Sequence, residues 1–143
     1  MATTTFLSNA TVNITQGATS YDVSDQCTAL TLTIGQDELE VTAFGDTGHK
    51  FVGGLQSVEV SMTLFLSYGT GEIEPMLAAA VGQGSTTLVI SPSGTTESAS
   101  NPEYTITGAM LANAPVINST VGEIASVDLT FVGGTWARDV TAP

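Results

Sequence analysis

Residues 57–67 read "SVEVSMTLFLS", and their alternation decides the fold class. Val58, Val60, Met62, Leu64 and Leu66 share one face of an extended chain, while Ser57, Glu59, Ser61, Thr63 and Phe65 share the other, because successive side chains of a strand point to opposite sides. A strand with that many inward positions belongs at the centre of a sheet, where one face is buried along its length. Upstream, "CTALTLTIG" (27–35) alternates Leu30, Leu32 and Ile34 with Thr31 and Thr33, and "LEVTAF" (39–44) sets Leu39, Val41 and Ala43 against Glu40 and Thr42. A Gly-rich connector is expected to join this second run to the central strand. Downstream, "TTLVISP" (86–92), "EYTITGAMLANAPVI" (103–117) and "IASVDLTFVGG" (124–134) read as further strands, separated by the polar loop "SGTTESASNP" (93–102).

The period changes once. Ile73, Met76, Leu77, Ala80 and Val81 are three or four apart and trace one stripe on a helix, predicted over 71–82. Thr70 is positioned to cap it, Glu72 and Glu74 suit its positive end, Pro75 is tolerated in a first turn, and Gly82 can end it. The fold class is therefore mainly β: a sandwich or split barrel of antiparallel strands with one short flanking helix. A chain of 143 residues is sized for a single domain, 1–143. Residues 1–23 alternate weakly and read as an N-terminal arm, and residues 135–143 as a C-terminal tail, both ordered by neighbours on assembly.

Composition narrows the function. Fourteen acids against Lys50 and Arg138 leave a formal net charge of −12, which opposes binding to a phosphate backbone or an anionic membrane. The acids are spread thinly, with Asp37, Glu38 and Glu40 the one local cluster, so the chain is not a disordered acidic tail. Its polar surface must be largely Ser, Thr, Asn and Gly, which suits an assembling subunit. No apolar run approaches the ~20 residues of a membrane span, and the N-terminal stretch lacks a secretion pattern, so folding in a cytoplasm is expected. The lone cysteine, Cys27, excludes an intrachain disulfide and reads as a small buried apolar residue.

Catalytic signatures are missing. His49 is the sole histidine; with Asp46 nearby a triad is conceivable, but no G-x-S-x-G elbow accompanies it. Of the acidic cluster only Glu38 and Glu40 share a strand face, which reads as a solvated face in preference to an acid–base pair. Neither a D-x-D-x-D-G calcium loop nor a glycine-rich nucleotide cradle is present. No enzyme activity, cofactor or metal is expected.

The stretch "LEVTAFGDTGHKFVGG" (39–54) poses the sharper question, because the only lysine and the only histidine stand side by side in it. Together with "SDQCTALTLTIGQDELEVTAFGDTGHKFVGGLQSVEVSMTL" around it and "SNPEYTITGAMLANAPVINSTVGEIASVDLTFVGG" downstream, it resembles the major tail tube proteins of long-tailed, siphovirus-type bacteriophages. Residues Thr42, Phe44, Gly45, Asp46, Gly53 and Gly54 match the family's loop pattern; Asn101, Pro102, Tyr104 and Gly122 match the downstream one. His49 and Lys50 depart from it, standing where that family carries arginine.

The resemblance implies a tail-tube-type β-sandwich closing into hexameric rings, which stack into a hollow tube that conducts DNA out of the capsid. It also implies an inter-ring loop, here Thr42, Phe44, Gly45, Asp46, His49, Lys50, Phe51, Gly53 and Gly54. In this reading Lys50 and His49 meet acids of an adjacent subunit, Phe44 and Phe51 anchor the loop, and the glycines let it turn. Further implied are a tape measure protein and DNA transiently in the lumen, tail terminator and distal tail proteins at the ends, no membrane partner and no specific nucleic-acid binding. A ring that passes DNA must not grip it, and the acidic composition agrees. A phage head decoration or other capsid-associated protein is the alternative expectation.

Overall fold

In a computed structural model that describes residues 10–94, 98–99 and 101–141, the elements run β1 (Thr11–Gln16), β2 (Thr19–Asp22), β3 (Cys27–Glu40), β4 (Phe51–Phe65), α1 (Ile73–Ala80), β5 (Thr86–Ser91), β6 (Glu103–Leu111), β7 (Ser126–Val132) and β8 (Thr135–Asp139). The strands follow the order β2-β1-β5-β6-β7-β4-β3, with β8 also on β6, and every named pairing is antiparallel. The alternating stretch of 57–67 lies in β4, which is central between β3 and β7. Val58, Val60, Met62 and Leu64 are buried with Val127, Leu129 and Phe131 of β7 and with Ile14, Leu88 and Ile106 from the other half of the sheet.

The path bends at β6. Its first half pairs with β8, from Glu103↔Asp139 to Thr107↔Thr135, and its end pairs with β7 through Met110↔Val132 and Leu111↔Phe131. The register is continuous, so β7 and β8 form one ladder along β6, interrupted opposite Gly108 by Gly133-Gly134. All three glycines have positive φ, +85°, +84° and +86°, a backbone state that a Cβ opposes. A Cβ on Gly134 would collide with the Thr107 carbonyl oxygen. Both strands therefore turn the corner together. Gly108 is also the extra residue of a bulge against β5, where Thr86 pairs with Ala109 but Thr87 with Thr107.

Four expectations change. First, 27–35 and 39–44 are not two strands: β3 runs unbroken through Gly35 to Glu40, with a bulge between Gln36 and Glu38. Gly53 and Gly54 accordingly lie inside β4 and do not turn a loop. A Cβ on Gly53 would strike the Gln36 side-chain amide, whose Nε2 donates to the Gly54 carbonyl at 3.0 Å. These glycines make room for a cross-strand side chain.

Second, residues 11–22 are not an arm. They form the β1–β2 hairpin, with Val12 and Ile14 buried in the core against β5; residues 1–9 lie outside the described residues. Third, 135–139 is β8, where Trp136 Nε1 donates to Gln56 Oε1 at 3.1 Å and ties the end of the chain to β4. Residues 142–143 lie outside the described residues.

Fourth, Thr70 does not cap the helix. The N-cap residue is Glu72, without a side-chain cap bond; Ser67 Oγ accepts from the Ile73 N–H at 3.3 Å and donates to Glu72 Oε2 at 2.9 Å, which also accepts from Gln26 Nε2 at 3.0 Å. Ile73, Met76, Leu77 and Ala80 are buried as the stripe predicts. Val81 is half-exposed at the C-cap, and Gly82 follows with φ +76°.

Candidate functional site

The connector 41–50 is short and tightly held. Asp46 N–H donates to the Ala43 carbonyl at 3.1 Å, closing a four-residue turn whose third residue, Gly45, has φ +94°; this is the class of turn that needs glycine there. Phe44, at the second position, is thereby pushed outward and is fully exposed. The Asp46 carboxylate accepts the Ala43 N–H at 2.7 Å through one oxygen and meets Lys50 Nζ at 2.7 Å through the other. The Lys50 ammonium first, and the Ala43 N–H second, hold this carboxyl below the usual carboxylate range. Below the turn, Lys50 N–H donates to Thr42 Oγ1 at 3.0 Å and Val41 N–H to the Lys50 carbonyl at 2.8 Å, continuing the hairpin.

His49 Nδ1 lies 2.8 Å from Glu40 Oε2, with its ring against Phe51 at a centroid distance of 6.4 Å. The histidine is thus set against Glu40, while Asp46, the triad candidate, is taken by Lys50. Of the residues singled out from sequence, Thr42, Phe44, Gly45, Asp46, His49 and Lys50 come together in this connector, and Phe51, Gly53 and Gly54 form the first turns of β4's pleat beside it. Apolar groups crowd this end: Leu39 pairs with Val52 across the strands, and Leu39, Val41, Phe51, Val52 and Leu55 are all exposed.

A second exposed set was missed from sequence. The loop 112–125 follows β6 and exposes Ile117 (79 %), Val121 (102 %) and Ile124 (77 %). It is anchored beside the far end of β4: Leu66 N–H donates to the Ala125 carbonyl at 2.9 Å, Tyr68 hydroxyl to the Val116 carbonyl at 2.8 Å, and Asn118 Nδ2 to the Ser126 carbonyl at 2.7 Å. Ile117 belongs to the run expected as a strand over 103–117 and Ile124 to the one over 124–134, whereas β6 ends at Leu111 and β7 begins at Ser126, so both residues lie in the loop; only Val121, beside Gly122, fits no periodic pattern.

Two further surfaces are left open. The outer edge of β3 has no strand partner among the described residues, so the outward-facing half of the backbone donors and acceptors along this 14-residue strand is open to pairing. Beside it, Leu30, Leu32 and Ile34 are half-buried and face Ile90 and Tyr104 across an apolar groove of about 520 Å³. Cys27 also lines this groove; it is half-buried, and burial pushes its thiol pKa up. The outward face of β3, β4 and β7 is polar, in rows Thr33–Glu59–Val132, Thr31–Ser61–Thr130 and Ala29–Thr63–Asp128, with Thr63 Oγ1 donating to Asp128 at 2.7 Å. Among the described residues no group of three or more His, Cys, Asp or Glu is arranged to hold a metal, and no helix is long and apolar enough to cross a membrane.

No protein-family model matches the chain, and no curated protein matches it in sequence. Solved structures do match. A chain of the anti-feeding prophage tube-terminating cap superposes with a TM-score of 0.62 at 15 % identity, covering 99 % of this chain and 95 % of that one. A chain of the tail of an empty gene transfer agent particle, refined with C6 helical symmetry, gives 0.55 at 13 % identity over 92 % and 95 %. One from the sheath–tube complex of an extracellular contractile injection system gives 0.58 at 13 % identity over 91 % and 88 %. The chain has the tail-tube type of fold. Its structural neighbours are components of phage-like particles and tails, which widens the sequence resemblance from siphovirus tubes to phage-tail-like tubes in general.

Proposed function

We propose that this chain is a non-enzymatic structural subunit of a siphovirus-type phage tail tube. Six copies join into a ring, rings stack, and the bore conducts DNA during ejection into the host. The observation that carries this reading is the match to tail-particle chains along nearly the whole length of both partners, in a fold whose long edge strand β3 is unpaired on its outer side among the described residues. An open edge is a hazard for a monomer and a joint for an assembly. Subunits meet edge to edge within a ring, along β3 and its apolar groove. The residues 42, 44–46, 49–51 and 53–54 at the hairpin end face the next ring.

The polar face of β3, β4 and β7 is the lining of the bore. It presents short Thr and Ser side chains with Glu59 and Asp128 and no cation in those rows, on a chain whose formal net charge is −12. Such a wall repels a polyanion within a Debye length of about 8 Å at physiological salt and offers no phosphate contact to slow it. The tube is assembled in the host cytoplasm around a tape measure protein and closed by tail terminator and distal tail proteins.

Negative-stain microscopy of the purified protein tests the reading: hollow tubes of constant width are expected. Trimers, or spikes bound to capsids, would support a head decoration protein instead. Titration with duplex DNA at about 0.15 M salt should give no binding.

A further inference from the structure

The groove beside β3 is apolar and unfilled by any described residue. On one wall Leu30, Leu32 and Ile34 reach only half-burial, and on the other stand Ile90 of β5 and Tyr104 of β6. Burial of such side chains is the main favourable term in folding, so a space of about 520 Å³ between these walls favours an apolar occupant. Charge narrows the choice. Among the described residues no acid and no base lines the groove, so a charged occupant would lose its hydration with nothing to pair against.

The chain itself brings an uncharged segment to this place. Ala10, where the described residues begin, lines the groove together with Val12. Val12 N–H donates to Ser24 Oγ at 2.8 Å, which sets this end of β1 beside the start of β3. Upstream of Ala10 lie residues 1–9, "MATTTFLSN", which carry no charged side chain and hold the adjacent apolar pair Phe6-Leu7. Strand phase selects between the two. Ile14 and Val12 are buried and Ala10 lines the groove, so along an extended chain Phe6 falls on their side and Leu7 on the opposite one. Reach is sufficient as well: nine extended residues span about 30 Å, and the β3 wall from Cys27 to Ile34 is about 23 Å long.

Tethering decides whose segment it is. Joined directly to a residue of the groove wall, residues 1–9 act at an effective concentration on the order of millimolar. The same segment on a separate, dilute subunit cannot compete with that.

We infer that residues 1–9 fold back within their own copy and seat the Phe6 ring in the groove against Leu30, Leu32 and Ile34, closing the space between β3 and the β5–β6 pair. The segment is thereby ordered by its own subunit and needs no neighbour, and a copy joining along the edge of β3 meets a filled groove.

Cys27 reports on the seating, because its thiol lines the groove and the chain has no other cysteine. In the dispersed, intact chain, labelling of Cys27 by an aromatic disulfide reagent should be roughly tenfold or more faster in Phe6→Asp than in the parent, and within about twofold of the parent in Leu7→Asp. Equal rates in the parent and Phe6→Asp, or faster labelling in Leu7→Asp than in Phe6→Asp, overturn the inference. The parent's protection should also be the same at every concentration at which the subunit stays dispersed. Protection that grows with concentration assigns the occupant to a second copy and overturns it too. A measurement on the parent alone covers the case of a variant that fails to fold: nuclear Overhauser contacts from the Phe6 ring to the methyl groups of Leu30, Leu32 or Ile34 are expected, and their absence from an assigned spectrum refutes the seating. None of these readouts depends on tube formation, so the tube function stands or falls separately.

Discussion

The tetrapeptide "FVGG" occurs twice, at 51–54 and at 131–134, and takes two structures. In the second copy Phe131 is buried and Gly133 and Gly134 have positive φ, carrying the chain round the corner from β7 to β8. In the first, Phe51 is half-exposed and Gly53 and Gly54 continue β4 without positive φ. The difference lies in what each stretch faces. Opposite Gly133-Gly134 stands Gly108, the one other place in the paired ladder where the backbone can bend, and the Thr107 carbonyl leaves no space for a Cβ. Gly53 pairs with Glu38, and the side chain of Gln36, on the other side of the bulge, folds over the glycines and donates to the Gly54 carbonyl. One stretch serves the core, and the other lies at the exposed hairpin end.

Point changes in the two copies should therefore differ sharply. Phe131→Ala leaves a void among β4, β6 and β7 and should cost about 3–5 kcal/mol in urea unfolding of the dispersed subunit; Phe51→Ala should cost under about 1 kcal/mol there. Equal costs would mean that both phenylalanines belong to the core. Gly134→Ala comes next, at about 2–4 kcal/mol, because it adds backbone strain to a collision with a backbone oxygen. Gly53→Ala meets only the flexible end of Gln36 and should cost about 1 kcal/mol or less, since that side chain can swing away. A cost at residue 53 matching that at 134 would place a bend in β4.

Smaller effects concern the hairpin tip alone. Lys50→Glu should leave the subunit folded but impair tube formation at low ionic strength, with recovery as salt screens the added negative charge; normal tubes at low salt would remove Lys50 from the assembly surface. The turn itself should respond to acid. Because the carboxyl of Asp46 sits below its ordinary value, its contribution is complete above about pH 3.9 and is lost as pH falls through the lowered folded value. The protection of the Asp46 amide, whose N–H closes the turn, relative to intrinsic exchange at the same pH should therefore fall only in strong acid; a loss of protection near neutral pH would assign the turn's stability to another group.

The periodic parts of this molecule were readable from the chain. Val58, Val60, Met62 and Leu64 announced a central strand, and Ile73, Met76, Leu77 and Ala80 announced the helix, because burial of one face imposes a period on local sequence. The net charge, the Phe44-Gly45-Asp46 turn and the gathering of Lys50 and His49 were also visible, being properties of neighbours along the chain. The glycines of 53–54 misled, since glycine signals a turn unless a distant side chain needs its space. Val12 and Ile14 were read as part of an arm because a short strand buried on one side shows too few alternations to stand out.

The partners of Lys50 and His49, the bent ladder of β6 with β7 and β8, and the two apolar ends of β4 emerged only on folding. Each depends on which residues far apart in sequence come to lie face to face, and alternation says which side of a strand is apolar without saying what that side will meet.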